Sequence, residues 1–361
     1  MNESLVFSEL NGEFIYNRIN SLECIELANK LTGKYGINNL ENTTILPSGM
    51  SAISTALHAT YSLCMGNINL IYSNEMFALT PNLIKYIKKY LKFNCYKIDV
   101  TDKDILLNLF TKTVYKQTNI LFLESCSNPN GLVFDFSLIS ELRQKSEELY
   151  TIIDNTWLTS EIFNPFIHNV DIVVLSLTKY YSGGICMAGA VLTQNEKIHK
   201  KISAHTKLNG LHVSPYNCKC ILNNIDDMPE RIKKTSSMTC KLIDYLKKQE
   251  NVHNVTHVSC INHESHNLAK KYFKTNNNET LYPSVFTFYV KLDIEVFKKW
   301  IISSNIEYKT SFGGPYTRID DHPKITDNGI RCRISIGYED SLDGIIEKIN
   351  ELLNSYPNEN L

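Results

Sequence analysis

The chain has 361 residues, 43% of them apolar, enough to bury a sizeable core and more than one small domain needs. Its 37 basic and 38 acidic residues leave a formal net charge of −1, which excludes the electrostatic footprint expected of a nucleic-acid binder or of a partner for anionic membranes. Ten dispersed cysteines, without zinc-ligand or secreted-framework spacing, point to reduced thiols and no structural disulfides. The first residues and the later apolar runs match neither a secretion signal nor a transmembrane helix, so a cytoplasmic protein without a bound metal is expected.

Residues 1–20 read as a short arm. Ser21 can cap a helix on which Leu22, Ile25 and Leu31 recur at helical spacing. Thr43–Leu46 reads as a strand, and Ser48-Gly49 opens a helix with Ile53, Ala56, Leu57 and Leu63 on its apolar side. Six more β-prone runs follow: 69–72, 94–98, 119–123, 151–153, 172–175 and 188–192, with helix-like stretches between most of them. Seven strands in such alternation imply an α/β domain, residues 21–230, around a mainly parallel sheet. A polar, helix-forming region from Asp226 to Lys248 leads into a smaller α+β unit, residues 231–361, whose clearest strand is Val285–Lys291. The tail after Ser355 is polar.

Two apolar runs each close on a reactive polar residue. Thr151-Ile-Ile-Asp154 carries a carboxylate, and Ile172-Val-Val-Leu-Ser-Leu-Thr-Lys179 carries an amine 25 residues later. In a parallel sheet both would arrive at the carboxyl edge, where α/β folds keep their ligands. Each alone also fits a turn former or a solvated charge. Together they suit pyridoxal phosphate, whose aldehyde needs an amine and whose pyridine nitrogen needs an acid. Ser48-Gly49-Met50, placed before a helix, offers backbone N–H groups and a positive helix end to a phosphate, and a plain strand-to-helix turn fits the same residues.

Six short motifs occur in a fixed order: Tyr16-Asn-Arg18, Ser48-Gly-Met50, Ser127-Asn128-Pro129, Asp154-Asn-Thr-Trp157, Ser176-Leu-Thr178-Lys179-Tyr180 and Arg333-Ile-Ser-Ile-Gly-Tyr-Glu339. From about Phe14 to Asp340 the chain resembles the Cys/Met-metabolism family of pyridoxal phosphate enzymes, which holds the cystathionine synthases and lyases. The resemblance implies fold type I, the architecture of aspartate aminotransferase. It also implies that Lys179 forms the cofactor imine and moves substrate protons, and that Asp154 faces the pyridine nitrogen. By the same likeness, Ser48, Gly49, Met50, Ser176 and Thr178 hold the phosphate, Asn128 meets the ring oxygen, and Tyr16 and Arg18 reach the phosphate of a neighbouring subunit. A homodimer or homotetramer with a shared active site follows from that last point. Arg333 would fork the substrate α-carboxylate, and Ser311 matches a substrate-side position more weakly.

Phe77 stands where the resembled family carries a ring-stacking tyrosine. Phenylalanine stacks but transfers no proton, unless a neighbour such as Tyr72 substitutes. The function implied is elimination or replacement at the β- or γ-carbon of an L-amino acid of the sulfur-containing or activated homoserine type. Transamination on the same fold and a non-catalytic binding relative remain as alternatives.

Overall fold

The computed structural model describes residues 8–10, 13–15, 20–39, 42–276, 279–304, 306–320, 324–327 and 329–354. They form two compact units: one runs to Ser127 and resumes from Val133 to Asp226, and the other comprises Asn128–Leu132 and the chain from Asp227 onward.

The larger unit is built on a seven-stranded sheet. Its strands are β1 (Thr43–Leu46), β2 (Ile68–Ser73), β3 (Asn94–Ile98), β4 (Thr118–Glu124), β5 (Glu148–Asp154), β6 (Ile172–Ser176) and β7 (Gly189–Thr193), in the order β1-β7-β6-β5-β4-β2-β3. Pairing is parallel from β6 across to β3, and β7 runs antiparallel to both β6 and β1. Every residue of β4 except Glu124 is buried, and so is every residue of β7, as expected for strands covered on both faces.

Helix α1 (Leu22–Lys34) begins at Ser21, whose hydroxyl accepts the Cys24 N–H at 3.1 Å. Helix α2 (Gly49–Tyr61) begins at Ser48 through a reciprocal capping box with Ser51. Ala52, Ile53, Ala56 and Leu57 of α2 recur at helical spacing and are buried against Leu70, Phe122, Ile152, Val174 and Val191 of the sheet. Each fully buried aliphatic side chain there contributes about 1.5–3 kcal/mol. This packing fixes the helix whose amino end faces the edge where β4, β5 and β6 terminate. Helix α3 (Leu79–Ile87) adds Ile84 and Ile87 to the same core, and α4 (Glu196–Leu208) adds Ile198 and Ile202. Helix α5 (Pro215–Ile225) packs on α1.

The second unit has helix α6 (Met228–Leu246) and a sheet of β8 (Val252–Thr256), β9 (Val285–Val290), β10 (Glu307–Tyr308), β11 (Arg318–Ile319), β12 (Lys324–Thr326) and β13 (Gly329–Ser335). The sheet order is β8-β9-β13-β11-β10, with β12 beside β13. Helices α7 (Ile294–Ser303) and α8 (Leu342–Asn354) pack on it with α6, and Trp300 Nε1 donates to the Lys348 carbonyl at 2.8 Å.

The units divide four residues before the position expected from sequence, just ahead of α6, and residues 128–132 go with the second unit instead of the first. Hydrogen bonds account for the latter: Arg333 Nη1 donates to Asn128 Oδ1 at 2.9 Å, and His263 Nε2 donates to the Asn130 carbonyl at 2.8 Å.

Candidate active site

All seven strands of the larger sheet bring chain to one edge. β2, β3, β4, β5 and β6 end there, β1 ends there beside β7, and antiparallel β7 begins there. The edge therefore collects Glu75 and Phe77 after β2, Glu124 at the end of β4, Asp154 at the end of β5, and Ser176 at the end of β6 with Lys179 three residues on. Ser48-Gly49 follows β1, and Gly189 opens β7. Glu124 is in register with Asp154, Asp154 with Val174, and Ser176 with Gly189.

Two glycines let three backbones meet. A Cβ on Gly189 would lie 2.1 Å from the Ser48 carbonyl oxygen, and one on Gly49 would lie 2.7 Å from Ser176 Cβ and 3.2 Å from its Cα. The first turn of α2 is thus pressed against the end of β6. Gly49 and Met50 occupy the first two helical positions, where no intrahelical carbonyl can reach their N–H groups. The Met50 side chain packs into the core, so its part at the edge is its backbone.

The three hydroxyls expected here have different duties. Ser48 Oγ accepts the Ser51 N–H at 3.1 Å as the helix cap. Thr178 Oγ1 donates to the Ala188 carbonyl at 3.2 Å and accepts the Ala188 N–H at 3.3 Å, clamping the lysine turn to the start of β7. Ser176 Oγ makes no hydrogen bond among the described residues and borders the Gly49 backbone. Lys179 sits in a turn closed by the Gly184 N–H to its carbonyl at 2.9 Å and by the Ser182 N–H to the Leu177 carbonyl at 3.0 Å.

Asp154 Oδ1 accepts the Thr156 N–H at 2.9 Å. Thr156 Oγ1 accepts the Ser176 N–H at 2.8 Å, so the residue that caps Asp154 also ties the end of β5 to the end of β6. Burial pushes the Asp154 carboxyl above its usual range, opposed by hydrogen bonding from Thr156. A carboxylate held this way favours a cationic partner, which a protonated pyridine nitrogen supplies. The amide pair of Gly49 and Met50, the Ser176 hydroxyl and this carboxylate together fit the phosphate and ring ends of pyridoxal phosphate.

Phe77 is 39% exposed, and its N–H donates to Glu124 Oε1 at 2.6 Å. Ser127 Oγ donates to Glu75 Oε1 at 2.5 Å. Neither glutamate was expected from sequence. Glu124 had a legible signal, since it closes β4 as Asp154 closes β5, whereas Glu75 lies in a polar loop with none.

In the second unit, Arg333 on β13 donates from Nη1 to Asn128 Oδ1, from Nη2 to Thr310 Oγ1 at 2.7 Å, and pairs through Nε with Asp320 Oδ2 at 3.2 Å. Asp320 Oδ1 is buried and has no hydrogen-bond partner among the described residues. Ser311 follows Thr310 in the same loop and is half-buried. Tyr16 and Arg18 lie outside the described residues. Among the described residues, no helix is long and apolar enough to cross a membrane, and no group of three or more His, Cys, Asp or Glu side chains is arranged for a metal ion.

The chain is 25% identical over 244 residues to a cystathionine beta-lyase of Schizosaccharomyces pombe, a match covering 66% of this chain and 59% of that protein. It is 26% identical over 323 residues to an O-succinylhomoserine sulfhydrylase of Pseudomonas aeruginosa, covering 88% and 76%. Its match to an L-methionine gamma-lyase of Fusobacterium nucleatum likewise spans only 64% of that relative. The cystathionine gamma synthase of Xanthomonas oryzae has the same fold, with TM-score 0.83 at 20% identity over 96% of this chain and 90% of that one. So does a protein described as O-acetylhomoserine (thiol)-lyase from Campylobacter jejuni, which carries a pyridoxyl-lysine, at TM-score 0.80 and 24% identity over 96% and 88%. A family model matches residues 2–351, and with it the chain belongs to the Cys/Met metabolism PLP-dependent enzymes.

Proposed function

We propose that this chain catalyses elimination or replacement at the β- or γ-carbon of an L-amino acid, with a sulfur-containing or activated homoserine-type side chain as the departing or exchanged group. The observation that carries the reading is the convergence of Asp154, the lysine turn and the Gly49–Ser176 contact at one sheet edge. The names of its relatives, which include lyases and a sulfhydrylase, agree with that chemistry class.

Bound pyridoxal phosphate supplies an electron-accepting ring that makes the Cα–H of an attached amino acid acidic. In this reading Lys179 Nζ holds the cofactor aldehyde at rest, then takes the α-proton and returns it further along the chain. Asp154 keeps the pyridine nitrogen protonated, and Thr156 keeps Asp154 aimed. The N–H groups of Gly49 and Met50 and the Ser176 hydroxyl hold the phosphate, with Ser48 and Thr178 fixing the backbone that presents them. Phe77 covers the ring face, its loop tied by Glu124. Asn128 bonds the ring oxygen and steadies Arg333, whose planar fork suits the substrate α-carboxylate, with Ser311 beside that loop. Tyr16 and Arg18 serve the phosphate of a partner subunit, which makes a homodimer the minimum unit. The cytoplasm is its proposed location.

Phe77 cannot protonate a departing thiolate, so substrates with activated leaving groups should turn over best. The test is a screen of the cofactor-loaded enzyme against O-acyl homoserines, cysteine, methionine and cystathionine, assaying keto acid, ammonia and thioether products. Ammonia with a keto acid, or a new thioether, is the expected outcome. Stoichiometric amino transfer to an added keto acid, with neither product, overturns the proposal.

A further inference from the structure

Tyr35, at the end of α1, and Tyr181, two residues past Lys179, are both fully buried, and their hydroxyls lie 3.0 Å apart, one donating to the other. Asn155, the residue after Asp154, donates from Nδ2 to Tyr35 Oη at 3.0 Å and to the Thr159 and Phe163 carbonyls at 3.0 and 2.9 Å. The Ser160 N–H donates to Tyr181 Oη at 3.3 Å, and Asn164 Nδ2 donates to the Tyr35 carbonyl at 3.1 Å. The two phenols thus join the chain leaving β5 to the turn that carries Lys179.

A buried hydroxyl without a partner is costly, so phenols placed in contact hold one another and whatever else they bond. The segment they hold contains a strained residue. Thr159 has a φ of 54°, a left-handed conformation rare for a β-branched side chain, and its carbonyl is one of the acceptors that Asn155 grips. Such strain persists only where the surroundings over-determine the backbone, and it concentrates at functional sites. Burial raises the Tyr35 phenol well above its ordinary pKa and pushes Tyr181 up to about 12, so both stay protonated and uncharged near neutral pH. Phenylalanine at either position fills nearly the same space and loses only the bonds of the hydroxyl.

We propose that Tyr35 and Tyr181 are positioning residues whose hydroxyl bridge fixes the Lys179 turn relative to the Asp154 end of β5. The inference rests on the roles assigned above to Lys179 and Asp154, and it adds two side chains that act through Asn155 and the backbone of the lysine turn. With the bridge lost, the amine and the carboxylate are less well placed on the same ring. A pyridine nitrogen less firmly paired with Asp154 loses part of its positive charge, and that charge then repels the proton on the Lys179 imine less. The imine should hold its proton to higher pH.

Spectrophotometric pH titration of cofactor-loaded Tyr35→Phe and Tyr181→Phe tests this, with thermal unfolding of the cofactor-free proteins measured alongside. The midpoint of the visible band should rise by at least about half a unit in each variant. Cofactor affinity should fall roughly 3- to 30-fold. The double variant should shift by less than the sum of the two, because both substitutions remove the same bridge. Borohydride trapping of the wild type separates this inference from the reading it rests on. Label on Lys179, with the midpoint unchanged or lowered in both variants, overturns the inference alone, even if both melt at lower temperature. Label on a different lysine overturns the role of Lys179 and the inference with it. Should one variant fail to fold, the other decides.

Discussion

Replacing Gly49 by alanine tests whether close contact between α2 and β6 makes the phosphate site. The added methyl would sit 2.7 Å from Ser176 Cβ and 3.2 Å from Ser176 Cα. Ordinary carbon contact begins about 0.7 Å further out, so the first turn of α2 or the end of β6 must move by that order. The Ser176 side chain cannot simply swing aside, because its Cβ is fixed to a backbone that is hydrogen-bonded to Thr156 and paired with Gly189. Overpacking of this kind costs roughly 1–3 kcal/mol. If the strain appears as displaced Gly49 and Met50 amides, cofactor affinity falls about 10- to 100-fold, equivalent to roughly 1.4–2.7 kcal/mol. Cofactor titration followed by absorbance measures that loss, and thermal unfolding of the cofactor-free protein measures the remainder. Adding Ser176→Gly removes the atom at 2.7 Å, leaves the one at 3.2 Å and also takes away the phosphate-facing hydroxyl, so the rescue is read as recovered thermal stability of the cofactor-free protein and should be partial. A Gly49→Ala protein that binds cofactor within about twofold of wild type would refute the reasoning.

Asp154→Asn should separate stability from function. The folded-state pKa of Asp154 is raised, so the native state binds its proton more tightly than the unfolded chain does. Its contribution is therefore present below the usual carboxylate range and lost as pH rises through the raised value, and asparagine removes that loss. The cofactor-free variant should melt no lower than wild type at neutral pH while turnover falls at least about a hundredfold, and a lower melting temperature with unchanged turnover would contradict the assignment. In the second unit, burial lowers the His257 pKa to about 3. Its Nε2 donates to the Pro283 carbonyl at 3.0 Å, so Nδ1 is the acceptor facing Ser259. The unfolded chain takes up that proton first, so stability should drop as pH falls from about 6.5 towards 3, and His257→Gln should flatten this part of the denaturation profile measured at successive pH values. If Phe77 covers the cofactor ring as proposed, Phe77→Tyr adds a phenol there and should raise kcat on thiolate-leaving substrates about 10²-fold without a matching gain on O-acyl homoserines. Equal gains on both would place the ring away from the leaving group.

The larger unit was legible because its signals are local. β1 is bracketed by Pro47-Ser48-Gly49, and β3 coincides with its expected range. β5 begins three residues earlier than its apolar run, at Glu148, because pairing with Thr118 of β4 draws polar residues into the ladder. In the second unit, β13 carries Arg331 and Arg333 on an alternating pattern, so it read as a site motif and not as a strand. The strand pairings of that unit join residues far apart in sequence, such as Thr287 with Arg333, and nothing local announces them. The same holds for the site. Asp154 and the lysine turn follow from strand ends, whereas the Thr156 link, the Gly49–Ser176 contact and the Asp320–Arg333 pair exist only once separate segments meet.

The central claim is that Lys179 is the residue bonded to the cofactor, opposite Asp154. Borohydride reduction of the cofactor-loaded protein followed by peptide mass mapping tests it most directly. A pyridoxyl group on the peptide bearing Lys179, with loss of visible absorbance in Lys179→Ala, is the predicted result. A pyridoxyl group on another lysine, or an unchanged visible band in Lys179→Ala, would contradict it.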